Sequence, residues 1–474
     1  MSIGDVIGAG PFVRSSTTIA TADAGTLFIP CPVWPARIML EYLFPMVSSS
    51  IKSLPSSLYA AITPPGPDAS ALTAAQVTDT VIIGGGITGL SAALHLAQGG
   101  HKAMVLEANA IGWGASGRNG GQVNPGLKYT PAEVERDLGA HGRTLVEAAW
   151  NAPDLVFDLI ERHGIVCDAA RGGTIRAATA SGQLDHERTL FNECRERGGP
   201  VTWLDQADIA GRTGTERYCG GFIDARGGQL NPLAYTRGLA RAAMDAGAVV
   251  HANSPVLSLR RDAGNWHVRT PAGSVHARQV VFATNGYTGR LWDRLRRTLV
   301  PAYSAIVATD PLPESVRTRI LAQREVVYEL GELVTYYRID GAGRLLIGGR
   351  SASLDLSGPE TFPFLQQHAK RLWPFLGDVA WRYGWNGQIA ITLDHYPHWH
   401  EPMEGIMACV GYNGRGVAMA TLMGREIARR IEGASPADLL LPASPVRPIP
   451  AHFGWRIGVA AAVIRGRIMD RLSR

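Results

Sequence analysis

The chain of 474 residues carries a formal net charge of +5, from 46 Lys and Arg against 41 Asp and Glu, and 46% of its residues are hydrophobic. This length suffices for two or three domains, or for one large pair of interleaved domains. The positive charge is too small to indicate nucleic-acid binding, and the hydrophobic fraction is that of a globular protein with a sizeable core.

The cysteines contain no C-x-x-C pair and are odd in number: Cys31, Cys167, Cys194, Cys219 and Cys409. This pattern argues against a disulfide framework or a zinc site, so we expect no bound metal and a reducing, cytoplasmic location. No run of about 18 apolar residues predicts a transmembrane helix. The N-terminus lacks the charged start and compact apolar stretch of a signal peptide.

Residues 1–78 are rich in Ser, Thr, Ala and Pro and poor in charge. Residues 34–47 are compatible with a short apolar helix bounded by prolines, and the Pro-Pro-Gly-Pro at 64–67 indicates a linker. We therefore expect an ill-defined N-terminal extension over 1–50, which is either ordered or the product of a misassigned start codon. Residues 51–78 are expected to form an arm lying on the main domain.

A strand, a helix and a second strand follow from residue 79 onward. Apolar runs predict buried strands at 81–83 and 103–106, and the pattern between them predicts a helix over 90–98 that ends at Gly99. Two strands joined by one helix within about 30 residues form a parallel pair with a right-handed crossover.

The turn into this helix, residues 84–89, reads GGGITG and matches G-x-G-x-x-G. Gly84 permits the tight turn, Gly86 lets a pyrophosphate approach the backbone, and Gly89 allows close packing of helix on sheet. The helix N-terminus offers N–H groups to phosphates, and Glu107, ending the second strand, can accept hydrogen bonds from a ribose diol. The predicted contacts of an ADP-containing cofactor are Gly84, Gly86, Ile87, Thr88, Gly89, Glu107 and Ala108.

Three features favour FAD over a pyridine nucleotide. The G-x-G-x-x-G motif occurs once, so a second nucleotide domain is not indicated. Residues 112–122, GWGASGRNGGQ, form a polar loop suited to phosphates and a ring edge. Residues 411–416, GYNGRG, precede a helix whose N-terminus can stabilise negative charge on the flavin pyrimidine. The predicted contacts here are Gly114, Ala115, Ser116, Arg118, Asn119, Gly120, Gln122, Gly411, Gly414, Gly416 and Val417.

The remaining chain predicts alternating helices and strands, including one hairpin across the Asp-Gly-Ala-Gly turn at 340–343. The predicted elements are helices over 233–245 and 417–431, and strands over 249–250, 256–260, 266–270, 279–283, 332–338 and 344–347.

These segments resemble the D-amino-acid oxidase-like FAD-dependent oxidoreductases, and within them the bacterial gamma-glutamylputrescine oxidase group. The GASGRNGGQ loop and the YYR…RLLIGG hairpin are specific to this group, whereas the glycine motif is shared far more widely. The segments that carry the resemblance are 81–100, 105–122, 231–248, 280–289, 335–350 and 410–428.

The resemblance implies an α/β fold, in which a Rossmann-like FAD-binding domain is interleaved with an α+β substrate domain on a mixed, largely antiparallel sheet. The implied boundaries are 79–130, 226–300 and 386–435 for the FAD-binding domain, 131–225 and 301–385 for the substrate domain, and 436–474 for a tail packing on the core.

The resemblance further implies that Val256 lies near the adenine of FAD and that Ala283 and Thr284 lie near its pyrophosphate. Gly387 is also expected to contact the cofactor. In relatives such as sarcosine oxidase, a Cys in a C-x-x-T segment holds the flavin covalently. The similar segment here, 389–392, reads IAIT and lacks that Cys, so we expect non-covalent FAD; Cys409 is expected to be a packed core thiol.

The implied reaction is the oxidation of an amine or amino acid to an imine that hydrolyses to a carbonyl, with oxygen reoxidising the flavin and yielding hydrogen peroxide. Tyr336 and Arg338 share one face of a strand and Tyr337 lies on the other. Tyr336 can form an aromatic wall and Arg338 can bind a carboxylate, unless both serve internal packing and pairing. Asn413 is a candidate for positioning flavin or substrate; for Trp385, a second wall and core packing are equally open.

Three alternatives remain at this point. His395, His398 and His400 form a cluster, but their spacing is not that of a helical zinc pair. The apolar stretch within 456–474 is flanked by arginines, so it either caps the domain or lies on a membrane, where a dehydrogenase would pass electrons to quinone. Finally, a flavin-binding subunit without turnover would keep the same glycine clusters.

Overall fold

The structure is a computed structural model that describes residues 51–262, 264–331, 334–351 and 354–472. The predicted N-terminal extension and the helix predicted within it lie outside the described residues. Two large sheets and the helices packed on them make up most of the described chain.

The secondary-structure elements are numbered in chain order. The α-helices are α1 (Leu58–Ile62), α2 (Ile87–Gln98), α3 (Pro131–Leu138), α4 (Ala140–Arg162), α5 (Leu184–Glu196), α6 (Gln206–Thr213), α7 (Pro232–Asp245), α8 (Asp293–Arg296), α9 (Glu314–Arg317), α10 (Pro363–Leu372), α11 (Gly416–Ile431) and α12 (Trp455–Leu472). The strands are β1 (Ala75–Ile83), β2 (Ala103–Leu106), β3 (Gln122–Val123), β4 (Thr174–Ala178), β5 (Val201–Leu204), β6 (Gly220–Asp224), β7 (Gly228–Gln229), β8 (Val249–His251), β9 (Ser258–Asp262), β10 (Asn265–Arg269), β11 (Ser274–Phe282), β12 (Val300–Thr309), β13 (Val326–Glu329), β14 (Tyr336–Ile339), β15 (Leu345–Arg350), β16 (Trp381–Ile391), β17 (His398–Met403) and β18 (Ile406–Val410).

The first sheet contains the predicted strand–helix–strand unit and has the order β17-β18-β11-β1-β2-β8. From β18 to β8 all neighbours are parallel, which confirms the predicted parallel pair, while β9 and β10 extend from β11 as an antiparallel hairpin. Helices α2 and α11 pack against each other so closely that a Cβ on Gly424 would lie 2.5 Å from Ser91 Cβ. The carboxyl ends of the parallel strands therefore meet at one edge, where such sheets bind ligands.

The second sheet has the order β16-β12-β15-β14-β13-β4-β6-β5. Its pairs are antiparallel except β13 with β4, which confirms the predicted mixed, largely antiparallel sheet. Residues 386–391, placed with the FAD-binding domain from the sequence, belong to β16 and pair with residues 300–305 of β12. Strand β16 therefore belongs wholly to the second sheet, and no break in the chain separates it from the segment expected in the FAD-binding domain.

Local hydrogen bonds explain where several elements begin. The Asn231 side chain accepts from Leu233 N at 3.1 Å and Ala234 N at 3.2 Å, and Pro232 fits the first helical position, so α7 starts there. In the predicted hairpin, Glu329 N donates to the Thr335 carbonyl at 2.7 Å. Strand β14 begins at Tyr336, and residues 332–333 of the predicted strand lie outside the described residues.

The predicted strand over 256–260 begins instead at Ser258. Ser254 N donates to the Glu107 carbonyl at 2.8 Å, which directs the preceding segment toward β2. The chain must turn away before it pairs with β10, and Val256 lies in this turn with 7% of its surface exposed.

The C-terminal segment has a buried part and an exposed part. Residues 439–441 are three leucines packed into the core beside α11, whereas Ile457 and Ile464 of α12 are 73% and 59% exposed. Among the described helices, none is both long and apolar enough to cross a membrane.

The histidine cluster near β17 includes one fully buried imidazole. Within the described ranges, no group of three His, Cys, Asp or Glu side chains is arranged to hold a metal ion. His400 Nδ1 lies 2.8 Å from the Ser444 carbonyl, and Nε2 is buried and has no hydrogen-bond partner among the residues that the structure describes. Burial lowers the pKa of His400 from 6.5 to about 4, although the bond to Ser444 opposes this shift. The folded protein therefore holds His400 neutral.

We expect the free energy of unfolding to fall as pH drops from 6.5 toward about 4, because the unfolded chain then binds a proton that folded His400 does not. The contribution of His400 is at most about 3 kcal/mol. Urea unfolding of the wild type and a His400→Gln variant between these pH values measures it. The variant keeps an amide donor for Ser444 but cannot titrate, so its profile should be flatter; parallel profiles would contradict the assignment.

Candidate functional site

The glycines after β1 are fixed by backbone contacts at the carboxyl edge of the first sheet. Gly84 has a φ of +115°, and its N–H donates to the Leu106 carbonyl at 2.9 Å. A Cβ on Gly84 would lie 2.9 Å from the Ala283 carbonyl oxygen, and a Cβ on Gly89 would lie 2.1 Å from the Gly84 oxygen. These separations leave no room for a side chain, so glycine is what lets β1, β11 and α2 meet.

The Glu107 carboxylate at the end of β2 is held by the backbone. Oε2 accepts from Gly85 N at 2.7 Å and Oε1 accepts from Asn109 N at 2.9 Å. Burial raises the pKa of Glu107, whereas these N–H groups and that of Ala108 act in the opposite direction. Each oxygen retains a further lone pair, so the group can still accept a hydrogen bond from a sugar hydroxyl.

The loop over 112–122 is closed by its own side chains. Ser116 Oγ accepts from Ile87 N at 3.0 Å, which ties the loop to the first turn of α2. The Asn119 amide donates to the Ala115 carbonyl at 3.1 Å, and its oxygen accepts from Gly121 N at 2.8 Å. The predicted cofactor loop is therefore already ordered beside the glycine turn.

Arg118 connects this loop to the second sheet. Its Nε donates to the Trp113 carbonyl at 2.8 Å, and the guanidinium lies 4.5 Å from the centre of that indole ring. Trp385 Nε1 donates to the Arg118 carbonyl at 2.8 Å, and a Cβ on Gly387 would lie 3.0 Å from Arg118 Cβ. Trp385 is fully buried, so the structure places it in the core.

Arg338 is bound within the protein through all three guanidinium nitrogens. Nε donates to the Gly120 carbonyl at 2.7 Å, Nη1 to Gln229 Oε1 at 2.8 Å, and Nη2 to Tyr59 OH at 3.1 Å. Only 2% of the residue is exposed. Of the two interpretations of the sequence, the geometry favours internal pairing over binding of a substrate carboxylate.

Tyr336 lies on the same face of β14 and covers two glycines. A Cβ on Gly120 would lie 2.6 Å from the Tyr336 ring, and a Cβ on Gly348 would lie 2.3 Å from it. The Tyr336 hydroxyl is 2.9 Å from Ser304 Oγ. Burial raises the pKa of Tyr336, so the phenol is neutral at physiological pH.

Gln122 also connects the cofactor loop to the second sheet, since its Nε2 donates to the Val327 carbonyl of β13 at 2.9 Å.

The second glycine cluster, 411–416, reaches the first one through Tyr412. The Tyr412 hydroxyl is 2.8 Å from Thr88 Oγ1 in α2, and Gly411 N donates to Asn285 Oδ1 at 2.9 Å. The N-termini of α2 and α11 therefore lie near each other at the same edge of the sheet.

The predicted site residue Asn413 and the nearby Arg415 both bind neighbouring protein groups. Asn413 has a φ of +51°, accepts from Thr392 N at 3.0 Å and donates to the Gly411 carbonyl at 2.5 Å. Arg415 donates to the Pro125 carbonyl at 2.9 Å and to the Tyr328 hydroxyl at 3.2 Å. Asn413 thus shapes the turn, and Arg415 connects α11 to the second sheet.

The predicted contacts in β11 and its loop also lie at this edge. Ala283 N donates to the Ile83 carbonyl at 2.9 Å, directly beside the glycine turn. Thr284 follows it, with Oγ1 2.7 Å from Thr288 Oγ1. Val256 follows β8 and lies two residues beyond Ser254, whose N–H donates to the Glu107 carbonyl at 2.8 Å.

The two glycine clusters fit FAD because they offer backbone N–H donors and leave open space at the N-terminus of α11. A Cβ on Gly414 or Gly416 would meet no atom within 4 Å, so the approach to the N-terminus of α11 is clear. The first N–H groups of α2 and α11 have no carbonyl partner within their helices and carry partial positive charge. A pyrophosphate and the electron-rich edge of a flavin are groups that such termini bind.

Several residues at the carboxyl edge of the first sheet and around the cofactor loop were not predicted from the sequence. Tyr59 and Ser304 carry no motif, and their roles come from contacts with distant segments. Tyr412 lies inside a recognised glycine cluster, and its neighbouring glycines were the available signal. Arg350 is the last residue of segment 335–350, which carries the family resemblance, and it was not predicted to be a site residue.

Comparisons with known proteins agree with this site. Residues 79–430 match the family described as "DAO: FAD dependent oxidoreductase". Probable oxidoreductase OrdL of Haemophilus influenzae is 32% identical over 396 residues, covering 81% of this chain and 89% of the relative. The gamma-glutamylputrescine oxidoreductase of Escherichia coli is 30% identical over 357 residues, covering 75% and 84%.

The fold is shared with solved structures. Glycine oxidase from Geobacillus kaustophilus superposes with a TM-score of 0.67 at 23% identity, covering 79% of this chain and 99% of that one. The resemblance inferred from the sequence is thereby confirmed, as is FAD as the cofactor. The chain belongs to the DAO family of FAD-dependent oxidoreductases.

Proposed function

We propose that this oxidoreductase acts on the C–N bond of an amine in the manner of a gamma-glutamylputrescine oxidase, with oxygen as the electron acceptor. The observation that carries the proposal is the 30% identity to the Escherichia coli gamma-glutamylputrescine oxidoreductase over 357 residues. The match spans 84% of that relative, so it extends over both sheets and not only over the glycine motif.

We assign the cofactor to the edge where the two glycine clusters meet. Gly84, Gly86 and the first turn of α2 would hold the pyrophosphate, and Glu107 would hold a ribose. When bound, FAD would supply the acceptor for a hydride equivalent from the C–H beside the amine, and oxygen would then receive the electrons and give hydrogen peroxide. The positive end of α11 would stabilise negative charge that develops on the pyrimidine side.

The protein's own part is to hold the amine neutral and oriented. Tyr336 offers a half-buried aromatic surface whose hydroxyl is hydrogen-bonded to Ser304, and its raised pKa excludes it as a base at neutral pH. Surroundings of low polarity, such as the Tyr336 ring, lower the pKa of an amine and so favour its uncharged form, which is the form that gives up a hydride equivalent. Asn413, held in its turn by Thr392, would fix the second cluster against the flavin.

We also propose that FAD is bound without a covalent link. Segment 389–392 contains no cysteine, and Cys409 lies fully buried in β18. Burial raises the pKa of the Cys409 thiol to about 12, which keeps it protonated and a poor nucleophile. Acid precipitation should therefore release the flavin into the supernatant; flavin retained in the pellet would contradict this.

The test of the proposed function is an anaerobic titration of the holoenzyme with an amine panel. The panel contains gamma-glutamylputrescine, putrescine, N-methyl amino acids and small amino acids. We expect gamma-glutamylputrescine to bleach the visible flavin band, and readmitted oxygen to be consumed with one equivalent of peroxide. A holoenzyme that no amine bleaches would contradict amine oxidation and support a flavin-binding subunit.

A second candidate is a dehydrogenase that delivers electrons to quinone at a membrane surface. It is favoured by α12, whose exposed Ile457 and Ile464 lie among arginines that include Arg456 and Arg465. Such a helix can bind an anionic bilayer peripherally. Bleaching by an amine with reduction of a quinone analogue, but without oxygen uptake, would select this function over the oxidase.

A further inference from the structure

Arg350, the last residue of β15, carries a largely buried positive charge that forms no ion pair with the described residues. Its Nη1 is inaccessible to solvent and has no hydrogen-bond partner in the described part of the protein. Burial lowers the pKa of Arg350, and the group that opposes this shift is the phenol of Tyr336. A buried cation without a hydrogen-bonded anion is costly to a folded protein. The arrangement is complementary to an anion that comes from outside.

Arg350 also lies on the face of the second sheet that meets the cofactor loop. Ser304 of β12 pairs with Arg350 on one side and with Gly387 of β16 on the other, so the three residues form a row across the sheet and share one face. Ser304 is bonded to Tyr336, and Gly387 is packed against Arg118 of the loop. Arg350 is therefore in the same row as residues that border the proposed flavin site.

The surroundings of Arg350 are electropositive. Burial lowers the pKa of the nearby His395 to about 4, and the charges of Lys128 and Arg350 add to this effect while Asp394 opposes it. Asp394 itself is 3.0 Å from His398 Nε2, which is its own partner. At neutral pH, His395 is thus uncharged and adds no further positive charge beside Arg350.

We propose that Arg350 binds a carboxylate carried by the amine substrate, so that the enzyme selects amines that also bear an acid group. A guanidinium matches a carboxylate with two parallel N–H···O bonds, which an ammonium group cannot reproduce. The inference deepens the proposed function and rests on it: a gamma-glutamyl amine has such a carboxylate, whereas a simple diamine does not.

The first test compares two substrates in three forms of the holoenzyme. The substrates are gamma-glutamylputrescine and an analogue in which its carboxylate is converted to an uncharged amide; the forms are wild type, Arg350→Gln and Arg382→Gln. Arg382 is an exposed arginine of β16 paired with Asp310, and serves as the matched control. We expect wild type and Arg382→Gln to prefer the carboxylate in kcat/KM by at least about 10-fold, and Arg350→Gln to lose this preference.

The loss should come from the acidic substrate alone, with the amide analogue unchanged within about twofold. An Arg350→Lys variant should recover part of the preference, since it restores charge without the fork. An equal fall for both substrates, or an unchanged preference, would overturn the proposal.

The second test does not depend on turnover. Glutarate, a dicarboxylate without an amine, should perturb the visible flavin spectrum of the wild type in a saturable way, with an apparent Kd at least about 10-fold weaker in Arg350→Gln. If no amine is oxidised but glutarate still distinguishes these proteins, the proposed function fails and the anion site stands. If Arg350→Gln is purified without FAD while Arg382→Gln retains it, Arg350 serves the cofactor and the proposal is overturned.

Discussion

A Gly89→Ala variant is expected to bind FAD about 10- to 100-fold more weakly than the wild type and to lose about 1–3 kcal/mol of unfolding free energy. The added methyl group would lie 2.1 Å from the Gly84 carbonyl oxygen, 3.1 Å from Ile82 Cγ2 and 3.2 Å from Ala283 Cβ. None of these neighbours is the end of a flexible side chain. The strain therefore moves α2 away from β1 and displaces the N–H groups that face the pyrophosphate.

The matched control for this variant is Gly211→Ala. Gly211 is also a helical glycine, in α6, but its Cβ would meet no atom within 4 Å. It should keep its FAD content and unfold no earlier than the wild type, since alanine is the better helix former. The ratio of flavin to protein absorbance after dialysis and a thermal unfolding curve measure both effects. Equal FAD retention in the two variants would show that close packing at Gly89 is not required.

An Arg338→Met variant is expected to lose about 3 kcal/mol of unfolding free energy and most of its FAD. Methionine fills part of the space but leaves the Gly120 carbonyl, the Gln229 side chain and the Tyr59 hydroxyl without their donor. Loss of the bond to Gly120 frees the cofactor loop. Turnover of acidic and neutral amines should then fall together, because the loop serves both.

Urea unfolding and FAD titration of the apoprotein measure these changes, with Arg338→Lys as a second variant. Lysine restores the charge but cannot span three acceptors in three directions, so it should rescue little. Arg350→Gln is the contrasting variant, in which stability and FAD content should be kept. If Arg338→Met stayed stable and lost only its preference for acidic amines, Arg338 would be the substrate anchor instead.

The parts of the site that the sequence predicted are those built from neighbouring residues. The turn over 84–89 and Glu107 belong to one strand–helix–strand unit, so the spacing alone places them at one edge. The glycine spacing predicts the shape of this turn, because a side chain at Gly84 or Gly89 would collide with neighbouring backbone atoms. The same locality explains why the family could be identified from short segments.

The parts that could not be predicted depend on contacts between distant segments. Thr88 and Tyr412 are bonded across 324 residues, and no local pattern indicates that pair. The role of Arg338 depends on Gly120, Gln229 and Tyr59, each from a different segment. From the sequence, an arginine beside a tyrosine on a strand is as compatible with binding a substrate as with internal pairing. Only the three hydrogen-bond partners of Arg338 distinguish these two roles.

The expected domain boundary at residue 386 falls inside a strand, where the sequence carries no local signal for a border. Strand β16 runs from Trp381 to Ile391 without a glycine–proline break that would mark a domain border. Its first half faces segments of the second sheet, and its second half reaches the cofactor loop through Gly387. A single strand that serves both units has no compositional signature at the point of change.

The bond between Thr88 and Tyr412 also bears on biosynthesis. While the ribosome has made only the first 400 residues, β11 has its partner β1 but lacks β18, so one edge of the parallel sheet is exposed. An unpaired edge is prone to aggregation until the last strand and α11 arrive. We therefore expect nascent chains to need chaperone protection until that stage, and FAD to be captured only after translation has passed Ile431.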